Sequence, residues 1–140
     1  MSAPVLNDAA REALAAGHLA HLVTRGPEGD PHVTIVWVGI DNDQIVAAHM
    51  GVWQKVRNIR RDPRVVLSME TGGRNAHGLD EYLVVTGRAE ITEGGAADLL
   101  QKLARVYIGP DVKFPPMEDP PPGYITRITP ERVGGVGPWK

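Results

Sequence analysis

The chain has 140 residues, of which 42% are apolar and 23% charged, an ordinary balance for one soluble globular domain. Its net charge of -2 and pI near 6.2 exclude the strongly basic surface of a general nucleic-acid-binding protein. The absence of cysteine excludes disulfides and thiolate chemistry. No apolar run approaches the roughly 20 residues that span a bilayer, and residues 1–10 lack the pattern of a secretory signal. We therefore expect a single cytoplasmic domain over residues 1–140.

The first half of the chain predicts one helix and three strands. Asn7 or Asp8 can cap a helix that runs to about residue 16. Three strands follow, at residues 18–24, 32–40 and 44–50. The second strand is β-branched and almost wholly apolar, which is typical of a strand covered on both faces. Short turns between the strands predict an antiparallel meander.

The second half predicts two helices and three more strands. The helices lie at residues 53–62 and 94–107, and the strands at 64–70, 82–92 and 124–128. Gly87 marks a bulge or bend in the long fifth strand. The remaining segments are a polar loop at 71–80, a proline-rich segment at 109–123 that is expected to edge a pocket or a dimer contact, and a glycine-rich tail at 131–140.

Six short strands with helices at the start, the middle and near the end predict a mainly-β fold with peripheral helices, arranged as a closed or partly closed barrel. A doubly wound fold is excluded because no helix separates the first three strands.

Side chains that could catalyse a reaction unaided are not recognisable in the sequence. The five histidines are scattered, and His18 and His21 would lie on opposite faces of one strand, so no zinc site is predicted. Neither serine lies in a nucleophile elbow, and no phosphate-binding glycine loop occurs. We therefore expect no catalytic residue and no metal site. An enzyme of this kind would take its chemistry from a cofactor.

The helix at residues 53–62 carries the main functional signal. Five of the 15 Lys and Arg residues lie between positions 55 and 64, where Asp62 is the one acid. Val52, Val56 and Ile59 repeat at helical spacing and are expected to seat the helix on the sheet. The basic side chains and the free N–H groups at the helix start would attract a phosphate. The alternative is an arginine-rich helix that only solvates the surface.

A family resemblance covers nearly the whole chain. Its most specific part is the run at residues 55–65, close to a KxRNhRRDPRV pattern in which h is apolar. Further matches are Thr24, Gly29, Pro31 and the stretches at 33–37, 82–89 and 128–133. Together these motifs resemble the deazaflavin-dependent branch of the pyridoxamine-phosphate-oxidase-like split-barrel flavoproteins. The resemblance implies a six-stranded antiparallel split β-barrel of the FMN-binding type, which forms a homodimer with the cofactor in a groove at the interface.

The resemblance also implies which residues hold the cofactor. Its phosphate and acidic tail would be held by Lys55 and Asn58, together with Arg57, Arg60 or Arg61. Its ring would lie on Thr34, Ile35, Val36, Ala48 and His49. Trp53 and Trp37 would form a side of the site. For Trp37, packing in the protein core is an equal alternative. Tyr82 and Trp139 would reach the ring region from the partner subunit.

FMN-binding relatives commonly carry an arginine three residues after the proline of the second strand, whereas Thr34 occupies that position after Pro31. Threonine supplies no charge for a compact FMN phosphate. The resemblance therefore favours coenzyme F420, whose longer anionic tail suits the basic helix. It implies hydride transfer from the reduced deazaflavin to a small conjugated acceptor such as an enone or a quinone. We expect no nucleic-acid partner. An FMN-dependent oxidase or reductase and a non-catalytic F420-binding carrier are the alternatives.

Overall fold

A computed structural model describes residues 4–140, which contain three helices and seven strands. The helices are α1 (Asp8–Leu14), α2 (Gln54–Arg61) and α3 (Ala96–Tyr107). The strands are β1 (Ala20–Arg25), β2 (Pro31–Val36), β3 (Gly39–Asp41), β4 (Gln44–His49), β5 (Arg64–Arg74), β6 (Asp80–Glu93) and β7 (Tyr124–Val136). All strand pairs are antiparallel. The mainly-β fold predicted from the sequence is confirmed.

The strand order shows that the sheet closes into a barrel. The order is β2-β1-β5-β6-β7-β4-β3, so β2 and β3 stand at its two ends. Only Trp37 and Val38 separate these strands in the chain, and the chain itself therefore joins the two edges. Alternate residues along the strands fill the interior. The largest of them are Leu22, Ile45, Leu67, Met69, Leu83 and Ile128, all of them fully buried.

The predicted strand at residues 32–40 is in fact two strands, β2 and β3. Between them, the hydroxyl of Tyr107 in α3 accepts a hydrogen bond from the Val38 N–H at 2.9 Å and donates one to the carbonyl of His18 at 2.7 Å. A side chain from a distant helix thus replaces a neighbouring strand as the hydrogen-bond partner of Val38. On one side of this point β2 pairs with β1, and on the other β3 pairs with β4. This contact spans 69 residues of sequence and has no local signal.

Two segments predicted as irregular are strands. The polar stretch at 71–80 continues β5 to Arg74, and a turn held by Asn75 Oδ1, which accepts the N–H groups of His77 and Leu79 at 3.0 Å, leads directly into β6. The glycine-rich tail extends β7 to Val136, paired with β6. Pairing with a long neighbouring strand overrides the weak β-propensity of these residues.

β7 requires a glycine where its backbone approaches β6 closely. Gly135 has φ +105, and a Cβ there would collide with the carbonyl oxygen of Tyr82. The predicted irregularity at Gly87 is confirmed, because the β6–β7 register shifts between Thr86 and Gly87.

The helices agree with the predicted positions to within two residues. Asn7 caps α1, its Oδ1 accepting the Ala10 N–H at 2.9 Å. Val56 and Ile59 seat α2 on the barrel as expected, but Val52 is 40% exposed because it precedes the first helical turn. None of the helices within residues 4–140 is long and apolar enough to cross a membrane.

One face of the sheet is apolar and points out of the barrel. Residues opposite each other in adjacent strands share a face, and the registers place Val33 beside Val23 and Val23 beside Val66. We call Val23, Val33, Ile35, Val66 and Val84 the outer apolar face, in which His21 and Ser68 lie between Ile35 and Val84. Val33 and Ile35 are 56% and 59% exposed, so the expected coverage of β2 on both faces is not met within one chain.

Candidate functional site

A cavity of about 230 Å³ opens where the outer apolar face meets the start of α2. Its lining residues are Ile35, Val36, Trp37, Ala48, Trp53, Lys55, Leu100 and Phe114. Six of these are among the residues singled out from the sequence, although they come from β2, β4 and the segment around the start of α2. The barrel brings them together because its closure places β2 and β4 beside α2.

Sequence reasoning missed Leu100 and Phe114, which form the far wall. Phe114 lies 5.3 Å from Trp37 between ring centroids, and Trp37 in turn stacks on Tyr107 at 5.3 Å. The Phe114 N–H donates to Gln101 Oε1 at 3.0 Å, which ties the proline-rich segment to α3. This segment does border a pocket, as expected. The one phenylalanine of the chain, set among prolines, was the available signal.

Lys55 places a buried cation at this cavity. Its side chain is 6% exposed, and its Nζ lies 3.4 Å from Thr34 Oγ1 and 5.2 Å from the centroid of the Trp53 ring. None of the ion pairs formed among residues 4–140 includes Lys55. Burial lowers the pKa of the Lys55 ammonium. A cation withdrawn from water without a carboxylate is costly, so this ammonium is suited to an anionic ligand.

Asn58 organises the exposed basic residues of α2. It is fully buried, and its Nδ2 donates to Thr24 Oγ1 at 3.0 Å. Its Oδ1 accepts from Gln54 Nε2 at 2.7 Å and from Arg61 Nη2 at 3.1 Å. Gln54 Oε1 in turn accepts from Arg57 Nη2 at 3.0 Å. Asn58 therefore positions the two arginines, and its own oxygen has no capacity left for a ligand.

His49 lies behind the cavity rather than in its wall. Successive strand residues point to opposite faces, and Ala48 lines the cavity while His49 is 1% exposed and faces the barrel interior. Its Nε2 lies 2.6 Å from Thr126 Oγ1, and its ring packs edge-on against Trp53 at 5.9 Å. Burial, and then the charge of Lys55, lower the pKa of His49 to about 3, so the ring is neutral. The position does not support the expected contact of this ring with a cofactor.

The structure does not bring Arg60, Tyr82 and Trp139 to the cavity. Arg60 lies over the Tyr124 ring at 5.2 Å, on another side of α2. Trp139 is 6% exposed within the core of its own chain, and its Nε1 donates to the Tyr82 carbonyl at 2.9 Å. Trp139 thus packs within its own chain, and the expected reach of Tyr82 and Trp139 to the ring region of a partner subunit stays a prediction.

The cavity suits a flat ligand that is apolar on one part and anionic on another. Apolar side chains form most of the lining, and Lys55 supplies its single charge within the described residues. His49 Nδ1, close behind, is buried and has no hydrogen-bond partner among residues 4–140. The same range contains no group of three or more His, Cys, Asp or Glu side chains placed to hold a metal ion.

Comparison with known proteins agrees with this geometry. Among solved structures, an F420 reductase is 27% identical with a TM-score of 0.68, over 88% of this chain and 94% of that one. A conserved hypothetical protein from Mycobacterium tuberculosis is 24% identical with a TM-score of 0.69, over 100% and 89% of the two chains. A heme binding protein from Mycobacterium smegmatis is 23% identical with a TM-score of 0.62, over 94% and 55%. The last two, at these identities, share the fold alone.

No curated protein matches the chain. The sequence profile of the family described as pyridoxamine 5'-phosphate oxidase matches residues 6–137. The resemblance found in the sequence motifs is thereby confirmed at the level of the family. Because the match spans almost the whole domain, the chain belongs to the pyridoxamine 5'-phosphate oxidase family of split-barrel proteins.

Proposed function

We propose that the protein is an F420H2-dependent reductase, which transfers a hydride from reduced coenzyme F420 to a conjugated electrophilic acceptor such as an enone or a quinone. The observation that carries the proposal is the buried ammonium of Lys55, which has no carboxylate partner among residues 4–140 and stands at the mouth of an apolar cavity. The similarity to an F420 reductase, at 27% identity, supports the same class of cofactor.

The chain's own residues would bind and orient the cofactor. Lys55 Nζ would attract its phosphate, and the cation's partial burial strengthens that attraction relative to water. Ile35, Val36 and Ala48 would pack on one face of the ring and exclude water. When bound, reduced F420 supplies the hydride. Among the described residues that line the cavity, Lys55 is the one with an ionisable side chain. The protein would therefore contribute orientation and charge rather than an acid-base pair.

Thr34 supports a deazaflavin over FMN. Its hydroxyl lies beside Lys55 Nζ, where FMN-binding relatives would add an arginine to grip a compact phosphate. Arg57 and Arg61 are exposed and are held by the Asn58 network on the same helix. This spread of charge suits a cofactor whose anionic groups extend along a tail.

The proposed enzyme is a homodimer. The cavity of about 230 Å³ in one chain is smaller than the roughly 300–1,000 Å³ of typical ligand pockets. Ile35 belongs both to the cavity and to the outer apolar face. A second copy packed on that face would cover Val33 and Ile35 and supply the missing wall. Sedimentation analysis of wild type and Ile35→Asp tests this: wild type is expected as a dimer and the variant as a monomer, and a monomeric wild type would contradict the assembly.

The cofactor is tested by titrating the purified protein with F420 and with FMN separately, following fluorescence. We expect micromolar or tighter binding of F420 and weak binding of FMN, and the reverse order would overturn the proposal. Lys55→Ala should weaken F420 binding and reduce its salt dependence, whereas Lys102→Ala, an exposed lysine on α3, should change neither.

Turnover is tested by mixing F420H2 with the protein and a panel of enones and quinones, and following reoxidation of the cofactor by absorbance. Oxidation that requires the protein supports the reductase. Tight binding with no oxidation by any acceptor of the panel would instead support a cofactor carrier.

A further inference from the structure

Three arginines lie side by side on the outside of the barrel, at one end of the outer apolar face. Arg64 and Arg88 are direct partners across β5 and β6. The β1–β5 register pairs Val23 with Val66, and continuing it by two residues places Arg25 opposite Arg64. Neighbouring strands are only about 4.8 Å apart, and like charges directly opposite each other destabilise a sheet. This row of arginines therefore favours negative charge nearby, from the protein or from a ligand.

These arginines surround a second cavity. Arg25, Arg64 and Arg88, together with Arg132 of β7, line a space of about 500 Å³, which we call the arginine cavity. Its apolar wall includes Val23 and Val66, which also belong to the outer apolar face, and Pro31, and Glu131 lines it as well. It shares no lining residue with the cavity at Lys55. The concave shape, the apolar wall and the convergent charged groups are those of a ligand site.

Acidic side chains of the protein neutralise only part of this charge. Asp62 pairs with Arg64 at 2.8 Å, and Glu131 pairs with Arg88 at 3.6 Å. Arg25 and Arg132 belong to none of the ion pairs found within residues 4–140. Asp62 lies within electrostatic range of Arg25, since the hydrogen bonds of Arg64, and then the charge of Arg25, lower the pKa of the Asp62 carboxyl. Neither Arg25 nor Arg132, however, forms a direct ion pair among the described residues. The planar fork of guanidinium binds phosphate and carboxylate oxygens in pairs.

We propose that the arginine cavity binds a small oligoanion, a molecule with two or more phosphate or carboxylate groups, independently of the cavity at Lys55. Arg25 and Arg132 contact it, while Arg64 and Arg88, each paired with an acid of the protein, line the wall between them.

The test uses inorganic pyrophosphate on the cofactor-free, full-length protein, by calorimetric titration and by thermal unfolding. Pyrophosphate is expected to bind wild type and raise its melting temperature. The double variant Arg25→Gln with Arg132→Gln should bind it at least about tenfold more weakly, because two charge-assisted contacts are lost. Arg105→Gln, an exposed arginine on α3, is the matched control and should bind as wild type does.

A second readout excludes a merely structural role. Without pyrophosphate, the double variant should be as stable as wild type or more so, and less stabilised by added NaCl, because repulsion among the four arginines around the cavity is reduced. The proposal is overturned if wild type does not bind pyrophosphate, or if the double variant binds it equally well. It is also overturned if the double variant loses F420 affinity or dimerisation with unchanged pyrophosphate binding, since these results would assign the arginines to the cofactor's tail or to a subunit contact.

Discussion

Replacing Lys55 by methionine separates a functional cation from a structural one. Lys55→Met keeps the length of the side chain and its packing against Trp53 but removes the ammonium. In the folded protein Lys55 is 6% exposed, and the one hydrogen bond of its ammonium, to Thr34 Oγ1, is long at 3.4 Å. Little is therefore lost from the cofactor-free protein when the charge is removed.

The two expected effects have opposite signs. Burial lowers the pKa of Lys55, so the folded state is penalised wherever the ammonium is charged, and the penalty is relieved as the pH rises through the folded pKa toward the ordinary value. We therefore expect Lys55→Met to raise the unfolding free energy of the cofactor-free protein at pH 7. Loss of a charged contact to the cofactor should cost about 2–3 kcal/mol of binding, a roughly 30- to 150-fold rise in Kd.

Urea unfolding of the cofactor-free protein and fluorescence titration with F420 measure the two effects. Lys102→Met, on the exposed side of α3, is the control and should alter stability by less than about 0.5 kcal/mol, with no change in affinity. A Lys55→Met protein that is less stable than wild type and binds F420 equally well would refute the reasoning and make Lys55 a structural residue.

Three further predictions concern residues around the same cavity. The pKa of His49 is about 3 in the folded state, below the ordinary value, so its contribution to stability is lost as the pH falls from about 6.5. Urea unfolding at pH 7 and pH 4.5 should show a smaller loss of unfolding free energy for His49→Gln than for wild type, by at most about 1.4 kcal/mol per pH unit below 6.5; parallel losses would contradict this. Trp139→Ala should lower stability by about 3–5 kcal/mol, whereas Trp53→Ala, at a position 49% exposed, should mainly weaken F420 binding; thermal unfolding and titration distinguish them, and equal destabilisation would contradict the assignment. Thr34→Arg should tighten FMN binding at least about tenfold by adding a phosphate contact, and unchanged FMN affinity would remove Thr34 from the determinants of cofactor choice.

The amino-acid sequence by itself determined the mainly-β class, the basic helix and the family. Apolar β-branched strands and short turns are local signals, and the run at residues 55–65 is contiguous, so both are visible without coordinates. Gly87 marked its bulge because a glycine inside a strand has few other reasons to occur.

Only the tertiary structure decided which side of each element matters. Packing of α2 on the barrel buries Lys55 and Asn58 and leaves Arg57 and Arg61 exposed, a division that the basic run alone does not reveal. Likewise, strand alternation shows that the side chains of Ala48 and His49 point to opposite faces of β4. Which of them faces the cavity depends on the position of β4 in the closed sheet.

Contacts between residues distant in sequence account for the remaining differences. The Tyr107 hydroxyl divides the predicted second strand, and pairing with β6 turns a glycine-rich tail into the end of β7. The same long pairing buries Trp139 in its own chain. The row of Arg25, Arg64 and Arg88 exists only through strand register. The local sequence shows which kinds of contact each residue can make. Strand register and barrel closure depend on interactions over the whole chain, and they decide which residues are in contact.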